Sequence, residues 1–249
     1  MCISHKDSKT VAAKPRSSHS AEPIVWNGEA RRRSPRVAWV ENQVYERYSK
    51  SRILDVGFIG RYEKPFLHLA LRGNNTQAQV VGVDIDMEKV VKCRLPKTIV
   101  ADAGFIAARD SSFDAVLCLE MLEHLYSPMP VLLEFRRVLR PGGELVITTP
   151  NAWSWGNFLR HWMVGSLSSR SERGVYRRYL GDGDHKQFYD PLSLMSLLDH
   201  AGFKTIDVVT KNHTIPFLRR WSKSFELLDW QFYPLNRLGH YTCLIAETR

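Results

Sequence analysis

Residues 113–151 read FDAVLCLEMLEHLYSPMPVLLEFRRVLRPGGELVITTPN, and the fold class follows from this stretch. Phe113 to Leu119 is an apolar run of strand length, and Val131 to Leu139 carries apolar residues at helical spacing. Pro141-Gly142-Gly143 stops that helix and turns the chain into a second run, Glu144 to Thr148. A strand, a crossover helix and a strand make a unit whose two strands lie parallel.

The same texture extends in both directions. Upstream, Ile53 to Val56, Val80 to Val83 and Thr98 to Ala101 read as strands, separated by helical patterns at Phe66 to Leu71 and Met87 to Lys92. Downstream, the sequence predicts a helix over 191–201 ending at Gly202, a strand over 203–210 and a last strand from His240 to Glu247. Strands alternating with helices imply a doubly wound α/β domain, its mostly parallel sheet covered on both faces. Val37, Val40, Val44 and Tyr48 predict a short helix ahead of the first strand.

Residues 1–36 are rich in Ser, Lys, Arg and Pro without a hydrophobic period, which predicts a disordered basic tail. The domain then runs over 37–249, with long insertions at about 151–188 and 215–236. Insertions of that length inside a compact domain are usually lids or binding loops. In the first, Trp155, Phe158, Leu159, Trp162 and Met163 fall on one helical stripe. In the second, Phe217, Trp221, Phe225 and Leu228 stand near Arg219, Arg220 and Lys223. Such stripes suit a core, a lid over a substrate or a contact with a membrane surface.

Composition narrows the classes further. The 249 residues are 44% hydrophobic, enough for a real core, and carry a formal charge of +9. That charge alone does not choose among nucleic acid, an anionic membrane and a solvated tail. No apolar run approaches the ~18 residues of a membrane span, and the first twenty residues lack the apolar stretch of a secretory signal. The four cysteines form no CxxC pair, which suits reduced thiols in a cytoplasmic protein. The expected location is therefore the cytoplasm, with peripheral contact at the inner membrane face through the aromatic and basic insertions.

In parallel sheets, ligands bind beyond the carboxyl ends of the strands. After the first strand comes Asp55-Val56-Gly57-Phe58-Ile59-Gly60, where glycine lets the backbone pass close beneath a bulky ligand. Asp84 ends the second strand, placed to accept hydrogen bonds from a ribose diol or else to cap the next helix. Asp102 follows the third strand, placed to receive an exocyclic amine such as that of adenine.

Taken in this order, ILDVG, VVGVDID, FDAVLCLEMLEHL and RVLRPGGELVITTPN resemble the successive motifs of class I S-adenosylmethionine (SAM)-dependent methyltransferases of the type 11/type 23 group. The resemblance covers about residues 50–211, and the late strands extend it to the end of the chain. It implies a Rossmann-like, seven-stranded sheet with an antiparallel final strand, and SAM as cofactor. Asp55, Gly57 and Gly60 would form the floor under the methionine part of SAM. Asp84 would hold the ribose, Asp102 and Ala103 the adenine, and Leu119 and Glu120 would line the sulfonium end. One departure stands out: the family loop D-x-G-x-G-x-G has Ile59 and Arg61 at its second and third glycine positions. A β-branched Ile resists positive φ, so this loop must follow a different path.

Methyl transfer to oxygen requires alignment and a route for the acceptor proton. A helix after the fourth strand would place Glu120, Glu123 and His124 on one face. His124 is then the candidate base, since imidazole titrates nearest neutrality. His185, in GDGDHKQFYD, is the second candidate. That segment resembles a stretch of methyltransferases from polysaccharide and lipopolysaccharide gene clusters. E-x-x-E-H also resembles the metal motif of small-RNA 2′-O-methyltransferases and ubiquinone-pathway O-methyltransferases. A divalent metal is thus admitted but not favoured, and no metal ligand is assigned. Catalysis is expected to rest on His124 and His185, with O-methylation of a hydroxyl on a glycan, lipid-linked saccharide or small metabolite. The alternatives are a metal-assisted RNA 2′-O-methyltransferase, which lacks a supporting RNA-binding motif, and a non-catalytic binding subunit, suggested by Ile59.

Overall fold

The apolar runs become strands because each buries side chains on both faces of a single sheet. The computed structural model of the protein describes residues 35–59, 68, 77–155, 185–213 and 235–249. Helix α1 (Pro35–Arg47) leads into β1 (Arg52–Val56), followed by β2 (Gln79–Asp84), α2 (Met87–Cys93) and β3 (Thr98–Val100). Then come β4 (Phe113–Leu119), α3 (Pro128–Val138) and β5 (Leu139–Pro150). Helix α4 (Pro191–His200), β6 (Phe203–Lys211) and β7 (Tyr241–Thr248) follow. The strand order is β3-β2-β1-β4-β5-β7-β6. Strand β7 lies between β5 and β6 and runs antiparallel to both, whereas the other strand pairs are parallel. This is the mostly parallel seven-stranded sheet with an antiparallel final strand that the sequence implies.

Successive residues of a strand point to opposite faces, and the two cores divide on that period. Leu54, Val116, Cys118, Leu145, Ile147, Leu244 and Ala246 face α3 and α4, packing with Leu132, Phe135, Leu194 and Leu198. Their neighbours Ile53, Ala115, Leu117, Val146, Cys243 and Ile245 face the other way, against Trp39 and Val40 of α1. Burial on both faces explains why these strands read as continuous apolar runs without polar alternation.

The boundaries shift for local reasons. Helix α3 starts early because Pro128 sits in its first turn, where the missing N–H costs nothing. It ends before Pro141: Leu139 is already extended (φ −73, ψ 139) and pairs with Phe113. Gly142 then turns the chain with φ +71. Helix α4 is closed at its start by a capping box between Asp190 and Ser193.

Pro35 and Arg36, assigned by composition to the tail, are the first two residues of α1. The remainder of the expected tail lies outside the described residues. So do the pattern at 66–71 apart from His68, and most of both insertions with their aromatic stripes. Among the described residues, no helix is long and apolar enough to cross a membrane.

Phe135 is wholly buried between α3 and the sheet, whereas Leu133 on the same helix is 48% exposed. Phe135→Ala is expected to lower unfolding free energy by about 3–5 kcal/mol, through lost burial and the cavity left behind. Leu133→Ala should change it by less than ~0.5 kcal/mol. Urea titration of the two variants checks both values.

Candidate active site

The chain runs outward from β1 through β2 to β3, then returns to β4 on the other side of β1. The connections leaving β1 and β4 therefore diverge, and a crevice opens beyond their carboxyl ends. Gly57 follows β1 with φ +71, and its N–H donates to the Val83 carbonyl at 2.8 Å. A Cβ at Gly57 would sit 2.9 Å from Met121 Cγ, so both conformation and space call for glycine. Ile59 is buried with Phe58, Val90 and Cys93 and is not among the residues with positive φ. The loop thus turns two side chains inward, a different path from that of a glycine-rich turn. Asp55 is buried, with its Oδ2 3.0 Å from His68 Nδ1. Gly60 lies outside the described residues.

Asp86, and not Asp84, caps α2, its side chain accepting from Lys89 N–H. Asp84 is left at the crevice. Its Oδ1 accepts from Asp86 N–H at 3.0 Å, and its Oδ2 lies 3.4 Å from Ile59 N. Asp102 is exposed and closes a tight turn by accepting from Gly104 N–H at 2.8 Å, beside half-buried Ala103. Ile85 and Phe105, close in sequence to these two carboxylates, are 71% and 81% exposed. They are apolar faces that a flat ring would cover. The sequence reading missed both, although an apolar residue directly after a strand-end carboxylate was the available signal for Ile85.

The expected helix through Glu120, Glu123 and His124 does not form. The chain makes only a 3₁₀ turn, Leu122–His124, and Ser127 is extended ahead of Pro128. Proline disfavours the α conformation in the residue before it, so no helix can run unbroken from Glu120 into α3. Glu120 instead has φ +56 and donates its N–H to the Thr148 carbonyl. Its Oε1 lies 3.2 Å from Arg36 Nη1 and accepts from Thr148 Oγ1 at 3.1 Å. Arg36 is itself fixed, since its backbone N–H donates to Asn212 Oδ1 and its guanidinium lies 4.6 Å over the Tyr241 ring. No local pattern marked Arg36 out from the basic tail that precedes it.

Glu123 takes a different direction. It is 1% exposed, and its Oε2 accepts from Thr149 Oγ1 at 3.1 Å, while its buried Oε1 has no hydrogen-bond partner among the described residues. Its backbone carbonyl accepts from both Lys186 N–H (2.7 Å) and Gln187 N–H (3.0 Å). Those two bonds carry His185 back to the crevice, where its ring centroid lies 4.9 Å from that of His124, edge to face. Donor atoms of Glu123, His124 and His185 lie within 4.8 Å of one another. The structure therefore joins three of the four residues singled out and holds Glu120 apart, on Arg36.

Burial pushes the Glu123 carboxyl up to about 8, and the neighbouring Glu120 charge adds to the rise. Burial raises Glu120 as well, with Arg36 opposing it. Burial, and then the Glu123 charge, also pushes the Cys118 thiol upward. Burial thus favours the protonated form of Glu123, and a cation at the site would oppose that preference.

A family model described as "Methyltransferase domain" matches residues 54–147. The ubiquinone biosynthesis O-methyltransferase of Idiomarina loihiensis is 28% identical over 182 residues, 70% of this chain and 69% of that one. Its namesake from Xylella fastidiosa is 30% identical over 171 residues, so that the chain spans 63% of that relative's length. Among solved structures, a SAM-dependent methyltransferase from Thermotoga maritima, described as a possible histamine N-methyltransferase, superposes with a TM-score of 0.57 at 18% identity. That match covers 85% of this chain and 89% of the other. The [4+2]-cyclase SpnF superposes with a TM-score of 0.55 at 20% identity, over 85% and 80% of the two chains. Residues 54–147 thus match a methyltransferase domain, and the chain has the fold of solved SAM-dependent methyltransferases. Its matched domain, residues 54–147, spans the strand ends described above, from Asp55 to the start of the β5 carboxyl end.

SAM is the cofactor that this family and fold imply, and the crevice suits it. Gly57 leaves room for a close approach, and a carboxylate ends β2 beside an exposed apolar face. Asp84→Ala is expected to weaken SAM binding by about 1.5–3 kcal/mol, the range for hydrogen bonds to a charged group, with the fold retained. Titration calorimetry and a melting curve check the two halves of that expectation.

Glu123 gives a separate, pH-dependent signature. A carboxyl raised in the folded state contributes stability below its unfolded value, near 4.5, and loses it as pH climbs through about 8. Glu123→Gln should flatten the fall in melting temperature between about pH 4.5 and about pH 8. An unchanged slope would mean that another group causes the fall.

Proposed function

We propose that this methyltransferase acts on a hydroxyl oxygen of a small metabolite or glycan, with the His124–His185 pair receiving the acceptor proton. The supporting observation is the convergence of Glu123, His124 and His185 donor atoms within 4.8 Å at the carboxyl end of β4. SAM, when bound, supplies a methyl group on a positively charged sulfur. Gly57 with Asp55 would lie under its methionine part, Asp84 would hold the ribose, and Asp102 with Ala103 would hold the adenine. Leu119 and Glu120 would face the sulfonium, where the Glu120 carboxylate favours a cation. The protein's remaining task is to align the acceptor oxygen and take its proton, which passes from the hydroxyl to an imidazole nitrogen.

His124 is exposed and His185 half-buried, so the pair stands at the mouth of the crevice, where an acceptor arrives. The bonds from Lys186 and Gln187 to the Glu123 carbonyl hold the two rings at a fixed separation. Oxygen, in preference to nitrogen or carbon, draws support from the relatives named O-methyltransferases. A glycan acceptor draws support from the resemblance of the His185 segment to polysaccharide-cluster methyltransferases.

One observation favours a second reading. A buried Glu123 Oε1 without a hydrogen-bond partner among the described residues, beside two imidazoles, is a mixed oxygen–nitrogen set that suits Mg²⁺, Mn²⁺ or Zn²⁺. Such an ion, when bound, polarises an acceptor hydroxyl and eases its deprotonation. Glu123, His124 and His185 would then be ligands, Glu123 would release its proton, and Glu120 would stay on Arg36.

Turnover after exhaustive EDTA treatment separates the two readings. Full activity is expected from the metal-free protein; activity lost and restored by one added ion establishes the metal-assisted reading instead. His124→Ala should slow methyl transfer about 10²–10⁴-fold, as for loss of a general base, while SAM affinity stays near that of the parent.

A further inference from the structure

We infer that the buried Asp55–His68 pair, wedged with Phe58 over Gly82, sets the path of the glycine-poor loop and makes His68 a positioning residue for the amino-acid end of SAM. The inference rests on the SAM site described above. Asp55 and Gly82 are partners in the β1–β2 register. A Cβ on Gly82 would lie 2.8 Å from Phe58 Cδ1 and 3.0 Å from His68 Cε1. The two rings therefore occupy the place where other residues of β2 carry a side chain. Their centroids are 4.7 Å apart, tilted by 40°. Phe58 continues into the buried cluster with Ile59, Val90 and Cys93, so the first turn of the loop is pulled down onto β2 and α2.

The polar half of the wedge explains why a histidine stands there. Asp55 is 4% exposed, and a carboxylate taken out of water needs a partner. His68, itself 1% exposed, supplies its Nδ1 at 3.0 Å. Its buried Nε2 has no hydrogen-bond partner among the described residues. An unmet nitrogen is costly, yet a buried carboxylate left without a partner costs more. The imidazole is thus placed for Asp55. With Nδ1–H donated to one carboxylate oxygen, the Asp55 side chain is held in one orientation beneath Gly57. Glycines at the second and third loop positions leave a loop free to settle around a ligand. Here Ile59 is committed to the core instead, and the Asp55–His68 pair fixes the floor beforehand.

The test compares two ligands, one carrying the amino-acid end with the sulfonium charge and one lacking both. SAM carries the amino-acid group, and 5′-methylthioadenosine lacks it. By titration calorimetry on the full chain, His68→Leu is expected to bind SAM about tenfold more weakly than the parent, the effect of losing one hydrogen bond to a charged group. Affinity for 5′-methylthioadenosine should stay within about twofold, and His68→Asn, whose amide can still donate to Asp55, should recover most of the SAM affinity. Equal weakening of both ligands, or unchanged SAM affinity, overturns the inference. Should His68→Leu fail to fold, the imidazole ¹⁵N signals of His68 in the parent protein decide. They are expected to move on addition of SAM and not of 5′-methylthioadenosine, and signals that SAM leaves in place overturn the inference. A parent protein that binds neither ligand overturns the cofactor reading itself. A parent that binds both, with His68→Leu matching it, overturns only the role of His68.

Discussion

The parallel pairing of β1 with β4 is the contact on which the rest of the molecule depends. Register from Ile53 opposite Ala115 to Val56 opposite Cys118 brings two strands that are distant in sequence to end side by side. One strand leads on to β2 and the other to β5, so their following loops part and cannot fill the space between them. Asp55 stands in the third of those pairs, and Gly57, Leu119 and Glu120 follow directly after the fourth, so all four lie at the strand ends that border the crevice. Apolar side chains on both faces of both strands hold that register, since a slip by one residue would exchange the two cores.

Beyond β4 the chain separates two carboxylates that a continuous helix would have set together. Glu120 turns toward β5 and α1, where Thr148 and Arg36 meet its charge. Glu123 turns inward, where burial favours its protonated form and Thr149 reaches one of its oxygens. A carboxyl met by Arg36 on one side and a buried acid on the other give the crevice two different electrostatic ends. The positive φ of Glu120 belongs to that separation. Strain in a non-glycine residue persists where the surroundings over-determine it, and here Thr148, through its carbonyl and its hydroxyl, supplies two of the restraints.

Fold alone does not decide the reaction. A SAM-dependent methyltransferase and a cyclase superpose on this chain with comparable TM-scores, so a common fold leaves the chemistry to the side chains placed on it. In this chain the distinctive placements are Ile59 in the core below the cofactor loop, Arg36 against Glu120, and His185 against His124. Each joins segments far apart in sequence.

The sequence by itself determined the strands, their parallel order and the residues at their carboxyl ends. Those features depend on short-range periodicity and on turn chemistry, both of which are written locally. It also showed that Ile59 cannot take a glycine's conformation, because that limit belongs to the residue itself. Asp84 stood open between a ribose contact and a helix cap, and only the structure gave the cap to Asp86. Tertiary structure likewise decided which of Glu120, Glu123, His124 and His185 meet. Pro128 broke the helix that would have aligned the first three, and two hydrogen bonds to one backbone carbonyl brought the last across some sixty residues. The partners of Glu120 and Asp55 were decided there as well. A buried carboxylate obtains its partner from whatever the fold brings within about 3 Å, and that distance is set by packing and not by position in the chain.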